Sequence, residues 1–149
     1  MYNFANFVEW PPSAFADGAA PIVLGILGKD PLFEILKNAN LQPIRGRQIV
    51  AKRLTDQEDF ASCHILFVGR SEEADFHKIL NKISSKNILS VSDMAGFAKW
   101  GGVINFLEVD NQLRFEINIQ AAKSADLIIS SKLLNLAVKI IYSSSKENE

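Results

Sequence analysis

The amino-acid sequence predicts an α/β protein: a mixed, mostly parallel sheet of about six strands, flanked by helices and carrying a C-terminal antiparallel hairpin. Three observations predict this class. Short, almost continuously apolar runs recur along the chain, as is typical of parallel strands covered on both faces. Capped, amphipathic segments separate several of these runs, which is the alternation of an α/β protein. No linker, repeat or low-complexity segment divides the 149 residues, so we expect one domain over residues 1–149.

Composition and charge exclude several classes of protein. A hydrophobic content of 48% and a charged content of 22% argue against disorder. The net charge of −1 gives no reason to expect nucleic acid or anionic lipid as a partner. No apolar run approaches the roughly 18 residues of a membrane-spanning helix, so we expect no direct membrane insertion. Residues 1–10 contain no basic leader and no clear cleavage site, so an exported protein would have had its leader removed from this sequence.

The N-terminal segment predicts an amphipathic helix. In residues 2–10, Phe4, Phe7 and Val8 recur at helical spacing, and Trp10 falls close to the same face. Two prolines follow and stop any helix. Two interpretations remain open, a helix that lies on the core and a helix that binds a partner.

A strand and a short helix are predicted next, over residues 21–27 and 32–38. Asp30 is the expected N-cap, with Pro31 at the first helical position. The inward residues of this helix are predicted to be Leu32, Ile35 and Leu36. The connecting loop is interpreted as an ordinary βα turn, because its single glycine and its acidic Asp30 do not suit a phosphate.

Two further strands are predicted over residues 48–54 and 63–68, with a short helix or turn over residues 56–60 between them. Cys63 is expected to act as a small buried hydrophobe. Neighbouring residues on a strand point to opposite faces, so Cys63 and His64 cannot form a catalytic pair in one pocket. A basic cluster near the earlier of the two strands is interpreted as a solvated face; it consists of Arg45, Arg47, Lys52 and Arg53.

A longer helix over residues 72–84 and a strand over residues 88–91 are predicted to follow, with Ser71 as the helix cap. His77 falls on the outer side of this helix. Its inner face is formed by Phe76, Ile79, Leu80 and Ile83.

The stretch from Ser92 to Ile119 contains the candidate site. Polar and aromatic residues follow the end of a predicted parallel strand, where open α/β sheets tend to bind ligands. The Gly101-Gly102 pair would let the backbone pass close to a ligand or to another strand. A structural turn and a ligand or partner site both remain open. The residues that follow the strand are Asp93, Met94, Phe97, Lys99 and Trp100.

A hairpin is predicted over residues 103–109 and 113–119, with its turn at Asp110-Asn111. Arg114 and Glu116 alternate with apolar residues, so one face of the second strand is expected to be exposed to solvent. Asn118 is expected to tie the loop where this strand turns into a helix over residues 120–125. The last predicted helix starts at Ser130 or Ser131, and residues 143–149 form a polar tail. Its inward residues are predicted to be Leu133, Leu134, Ala137, Ile140 and Ile141.

Catalytic signatures are absent from the sequence. It contains no GxSxG, HExxH, Walker or GxGxxG motif. Its two histidines make a poor set of metal ligands, and its single cysteine excludes an internal disulfide and a multi-cysteine metal site. We therefore predict a protein without catalytic residues, metal or cofactor, and not an enzyme.

The order of motifs resembles the YfiR family (DUF4154) over nearly the whole chain. The resembling blocks are the aromatic segment that ends in Trp10-Pro11 and residues 22–28, 63–68, 89–93, 96–97, 101–106, 114–118, 130–134 and 137. The resemblance implies a small exported protein of Gram-negative bacteria. The best-known type is a periplasmic regulator that binds the periplasmic sensor domain of a membrane-bound diguanylate cyclase. It represses the cyclase and so lowers cyclic di-GMP and biofilm formation.

The resemblance also implies a homodimer and, in some members, control by disulfides. This sequence departs from the disulfide pattern, because Cys63 has no partner within the chain. An alternative function is a periplasmic small-molecule-binding module linked to a sensor kinase or an outer-membrane transport system, with a pocket near Asp93 and Asn118.

A regulator of this type needs a binding surface rather than a catalytic centre. We expect that surface on the loop 93–102 and the adjoining face of the hairpin, because exposed aromatic residues are common interface anchors. The expected partner- or ligand-binding residues are Asp93, Phe97, Lys99, Trp100, Gly101, Gly102, Arg114, Glu116 and Asn118.

Overall fold

Nine strands and four α-helices make up the fold in this computed structural model, which describes residues 2–54, 60–84 and 86–142. The strands are β1 (Val8–Glu9), β2 (Ile22–Leu27), β3 (Ile49–Leu54), β4 (Ile65–Val68), β5 (Leu89–Ser92), β6 (Ile104–Val109), β7 (Gln112–Asn118), β8 (Ile128–Ile129) and β9 (Lys139–Ile141). The helices are α1 (Leu32–Lys37), α2 (Phe76–Ile83), α3 (Ile119–Ser124) and α4 (Ser131–Leu136). Short 3₁₀ helices cover Tyr2–Phe7, Pro12–Ala14, Phe60–Ser62 and Arg70–Asp75.

The main sheet has seven strands in the order β3-β2-β4-β5-β6-β7-β9. Its first five strands run parallel to their neighbours, β6 and β7 form the antiparallel hairpin, and β9 adds a parallel strand beside β7. A separate antiparallel sheet joins β1 to β8. The predicted class, a mixed and mostly parallel sheet with an antiparallel hairpin, is confirmed, with seven strands in place of about six.

Two apolar layers cover the two faces of the main sheet. In β4, Ile65 and Phe67 belong to one layer, while Leu66 and Val68 belong to the other. This explains why the predicted strand is continuously apolar, because both of its faces are buried. The N-terminal segment, α1 and α4 contribute to the first layer, and α2 with the loop after β5 contributes to the second.

The N-terminal segment is less helical than predicted. A 3₁₀ helix over Tyr2–Phe7 replaces the amphipathic α-helix, and Val8 leaves it to pair with Ile129 in the small sheet. Phe4 packs edge-on to Phe115, with 5.2 Å between ring centroids. The segment therefore lies on the core, as one of the two interpretations expected.

The last predicted helix is too long. α4 begins after the N-cap Ser130, as expected, but ends at Leu136, and Ala137 is already extended. Ile140 and Ile141 belong to the edge strand β9 rather than to a helix. The reason is the pairing of this segment with β7, which suits its β-branched residues.

Three smaller predictions about α1 and α2 are also corrected. Ile35 is 61% exposed rather than inward. The helix predicted over residues 72–84 begins as the 3₁₀ turn Arg70–Asp75 and becomes α-helical only at Phe76. Ser71 does not cap it, because its Oγ accepts a hydrogen bond from the Lys29 N–H at 2.8 Å. The inner face of α2 is as predicted, and His77 is exposed.

The basic cluster is structural rather than merely solvated. Arg45 donates to the carbonyl oxygens of Asn6 and Val8, and Arg47 donates to those of Asp17 and Ala20. Arg53 donates to the carbonyl of Gly28 in the same way. The guanidinium groups therefore tie loops together. The predicted turn over residues 56–60 and the polar tail from residue 143 fall largely or wholly outside the described residues.

Candidate functional site

Buried polar side chains hold the loop between β5 and β6 in one conformation. Asn105 on β6 donates to the carbonyls of Ser92 (3.2 Å) and Met94 (2.9 Å), and its Oδ1 accepts from the Ala98 N–H. Asn118 at the end of β7 donates to the Ala98 carbonyl at 2.7 Å and accepts from the Ala121 N–H. Asn118 thus caps α3 and ties the loop, as the sequence predicted.

Two serines of β5 complete this network. Ser92 donates to the Val68 carbonyl at 2.6 Å and accepts from the Met94 N–H. Ser90 accepts from the Val103 N–H at 2.9 Å. Buried polar groups that are fully paired make a rigid loop, because each would lose a hydrogen bond if the loop moved.

Phe97 anchors the loop from inside. Its ring is completely buried in the layer that contains α2, and the Gly102 N–H donates to its carbonyl at 2.9 Å. Gly96 and Gly101 adopt positive φ angles of 81° and 119°, which favour glycine. The expectation that Phe97 is an exposed interface anchor is therefore wrong. The reason is that this aromatic ring closes the core beneath the loop.

The nine predicted site residues separate into a buried group and an accessible group. Phe97, Gly102 and Asn118 are buried and shape the loop. Lys99 and Arg114 are exposed, and the remaining residues are partly accessible; these are Asp93, Trp100, Gly101 and Glu116. Only the accessible residues can touch a partner without a rearrangement of the core.

An open cleft of about 520 Å³ brings Asp93 and Glu116 together between the loop and the hairpin. Glu73 and Glu108 line the same cleft, and Arg70 is the one basic residue among the described residues that line it. The Arg70 Nε lies 3.3 Å from the Asp93 Oδ2. The other oxygen, Asp93 Oδ1, is buried and has no hydrogen-bond partner among the described residues. Four carboxylates against one guanidinium make this cleft acidic.

Trp100 and Gly101 line a different and smaller cavity of about 140 Å³ beside α2 and α3. The Trp100 ring meets the His77 ring edge-on, with 5.2 Å between centroids. The loop therefore presents two separate accessible regions, an acidic cleft on the hairpin side and an aromatic edge on the α2 side.

The hairpin places Arg114 and Glu116 on one face. Asp110 and Asn111 both have positive φ angles, 51° and 65°, as a two-residue type I′ turn requires. Arg114 pairs across the strands with Leu107, and Glu116 pairs with Asn105. Asn105 is buried under the loop, so the exposed part of this face begins beyond it.

Three residues that position the loop were not predicted as site residues, although their places in the sequence set them apart. They are Ser90, Ser92 and Asn105. Each is a polar residue inside an otherwise apolar strand run, where an unpaired polar group would be costly. Such residues need buried partners, and a neighbouring glycine-rich loop is a natural source of backbone partners. Arg70, Glu73 and Glu108 carried no comparable signal, because their proximity depends on the folded sheet.

Metal-binding clusters and membrane-spanning helices are absent from residues 2–54, 60–84 and 86–142. No group of three or more His, Cys, Asp or Glu side chains in these ranges is arranged to hold a metal ion. None of their helices combines the length and apolar character that a bilayer crossing requires. Cys63 is buried. His64 contacts β2 and the segment that precedes it, not the loop between β5 and β6.

Comparison with known sequences identifies a family. The family described as YfiR/HmsC-like, DUF4154, matches residues 1–138. No curated protein matches the chain. The family match spans every strand except the last and includes the loop and hairpin that carry the candidate site. The chain therefore belongs to the YfiR/HmsC-like family.

Proposed function

We propose that this protein is a non-enzymatic periplasmic signalling regulator that binds the periplasmic sensor domain of a membrane protein. The proposed partner is a diguanylate cyclase that the protein represses, which lowers cyclic di-GMP and biofilm formation. Membership of the YfiR/HmsC-like family carries this proposal, because it supports the role of a periplasmic regulator in general. Binding alone can perform such a role, since a regulator needs only to prefer one state of its partner.

The acidic cleft is the proposed contact surface. Its loop wall is fixed by Asn105 and Asn118, so a partner would meet a preorganised surface and would lose little entropy in ordering it. Asp93 and Glu116 make the cleft attractive to a basic segment. We therefore propose that the partner presents lysine or arginine side chains to this cleft.

Repression then requires a difference in affinity between two states of the sensor domain. If the protein binds the inactive state about 10-fold more tightly, the coupling free energy is about 1.4 kcal/mol. That value lies within the usual range for coupled sites. A graded switch of this kind would respond to the concentration of the regulator.

The direct test is binding of the purified protein to the isolated periplasmic sensor domain of a cyclase from the same organism, measured by calorimetry. The double variant Asp93→Asn/Glu116→Gln removes two charges of the cleft and keeps the shapes of the side chains. We expect it to weaken binding at least about 10-fold and to reduce the dependence of binding on salt.

The matched control is the double variant Glu34→Gln/Asp126→Asn, which removes two exposed carboxylates away from the cleft. It should bind as the unchanged protein does. Equal binding by both double variants would show that the acidic cleft is not the contact. No binding of any sensor domain, together with recovery of only transport components from a membrane extract, would overturn the signalling function.

A small-molecule-binding module remains the second candidate. Asp93 Oδ1 is buried without a partner among the described residues, and such a group favours a ligand that can donate a hydrogen bond. Asn118 is buried and is not among the residues that line the cleft. Ligand-dependent melting that Asp93→Asn abolishes would support this candidate, whereas melting that no periplasmic metabolite shifts would oppose it.

A further inference from the structure

His64 lies at the junction of three segments and bonds two of them through its ring. Its Nδ1 lies 2.9 Å from the Val23 backbone nitrogen at the start of β2. Its Nε2 lies 2.8 Å from the Ala14 carbonyl oxygen in the segment that precedes β2. The Val23 N–H can only donate a hydrogen bond, so Nδ1 must be unprotonated to accept it. The Ala14 carbonyl can only accept a hydrogen bond, so Nε2 must carry the proton. Both bonds can form together only while the imidazole is neutral.

Aromatic and basic side chains close over this ring. Phe15 stacks on it with 4.4 Å between centroids, and Trp10 meets it edge-on at 6.4 Å. The Trp10 indole N–H donates to the His64 carbonyl at 3.1 Å. The Arg47 guanidinium lies 3.7 Å from the centroid of the Phe15 ring and donates to the carbonyls of Asp17 and Ala20. Residues 11–20 are therefore held by His64 at one end and by Arg47 at the other.

Among the described residues, the charged groups that face His64 are basic. Arg47 approaches from the turn before β3, and Lys86 approaches from the loop before β5. Lys86 lines an open cleft of about 230 Å³ that also contains His64, Cys63 and Ser13. No carboxylate is among the described residues that line this cleft. A proton can reach the ring from solvent through the cleft, but none of the described residues that line it carries a negative charge to stabilise that proton.

We propose that His64 is a pH-sensitive latch that holds residues 11–20 against the sheet when neutral and releases them when protonated. A proton on Nδ1 would face the Val23 N–H, and two donors cannot share a hydrogen bond. The imidazolium would also be only 9% exposed, without a carboxylate partner in the part of the chain that the structure describes. Moving away from the junction breaks the bond to Ala14 and the stack on Phe15. Release then exposes more of the half-buried Phe15 ring and of the buried Trp10 indole.

The pKa of His64 has the direction that this latch needs. Burial is the largest influence and lowers the pKa below 6.5; the bond to the Ala14 carbonyl raises it, and the charge of Arg47 lowers it. The unfolded chain, with its ordinary pKa, binds more protons than the folded chain as the pH falls. The contribution of His64 to stability is therefore complete above about pH 6.5 and is lost progressively as the pH falls below it.

The test is hydrogen–deuterium exchange of residues 11–20 between about pH 7.5 and pH 5, corrected for the intrinsic effect of pH. In the unchanged protein we expect exchange of this segment to become at least about 10-fold faster at the lower pH, while β4 stays protected. In His64→Gln, whose side chain cannot charge, the difference between the two pH values should disappear.

The second histidine provides the matched control. His77 also contacts a tryptophan, Trp100, but it is exposed and lies on α2. His77→Gln should leave the pH response of residues 11–20 intact.

If His64→Gln does not fold, NMR titration of the two histidine rings in the unchanged protein tests the latch instead. The release must follow the protonation of His64 rather than that of His77. Protonation of His64 without faster exchange of residues 11–20, or an unchanged pH response in His64→Gln, would overturn the proposal.

Discussion

At the scale of single residues, Gly102 is a position where the loop has no room for a side chain. A Cβ atom there would overlap the Phe97 ring, with its Cζ only 2.7 Å away. Phe97 is buried in the layer with α2 and cannot swing outward without opening the core. We expect Gly102→Ala to lower the free energy of unfolding by about 1–3 kcal/mol, as overpacking does in other cores. Urea denaturation followed by tryptophan fluorescence measures this change.

Gly18→Ala is the matched control, because no heavy atom of the described residues, apart from Gly18 and its two chain neighbours, lies within 4 Å of a Cβ at that position. Its effect should stay within about 0.5 kcal/mol. A Gly102→Ala protein as stable as this control would show that the loop adapts to the added methyl group. The packing of Phe97 against Gly102 would then be looser than the distances indicate.

The residue scale is also where reasoning from the sequence was least complete. The positions of Asn118 and the Asp110-Asn111 turn could be predicted, because an amide at a strand end and two turn formers act locally. The burial of Phe97 could not be predicted, because an aromatic residue between two glycines is compatible with a buried core position and with an exposed interface anchor. Only the path of β6 and β7 beneath the loop decides between these alternatives.

At the scale of elements, Asn105 fixes the loop that forms one wall of the acidic cleft. Replacing it with alanine leaves the carbonyls of Ser92 and Met94 and the N–H of Ala98 without their amide partner. Unpaired buried polar groups cost about 1–3 kcal/mol each, so we expect Asn105→Ala to lower the free energy of unfolding by at least about 2 kcal/mol. We also expect faster hydrogen exchange across residues 93–102.

Asn135→Ala, an exposed change on α4, serves as the control and should leave the loop as protected as before. The discriminating result is the location of the faster exchange. Faster exchange across the whole sheet, without a preference for the loop, would mean that Asn105 supports the core in general and does not position the cleft.

Elements that show a local pattern of apolar and turn residues could be predicted. Elements that form only by pairing with a distant segment could not. Strands β2 to β7 could be predicted from apolar runs and turn residues to within a few positions. β1, β8 and β9 have only two or three residues each, too few for a periodic pattern. These strands form because Val8 pairs with Ile129 and Ile140 pairs with Ile117, residues that are distant in sequence. The same tertiary pairing ends α4 before Ala137.

At the scale of the whole molecule, the arrangement separates three surfaces. The acidic cleft lies beside the hairpin, the His64 junction holds residues 11–20, and β9 is the outermost strand of the described sheet on the β7 side. The fold class could be predicted because two apolar layers around a parallel sheet require the continuous strand pattern. The acidic cleft could not, because it joins residues from the turn before α2, the loop and both hairpin strands.

The homodimer remains a prediction, and the exposed apolar residues near β9 give it a specific form. Leu136 at the end of α4 is 64% exposed, Val138 is 46% exposed and Tyr142 is 73% exposed. An unpaired strand edge flanked by apolar side chains is a ready site for association. We expect a dimer that covers this edge. A charge in the middle of the covered surface would have to be desolvated, so Leu136→Glu should shift the protein toward the monomer.

Light scattering across a range of concentrations measures this shift through the molar mass. The control is Leu113→Glu at the hairpin tip, which places the same charge on an equally exposed leucine away from β9 and should leave the dimer intact. A dimer that Leu136→Glu does not weaken would place the interface elsewhere. A monomeric mass at every concentration would exclude the homodimer itself, and the regulator would then bind its partner as a single chain.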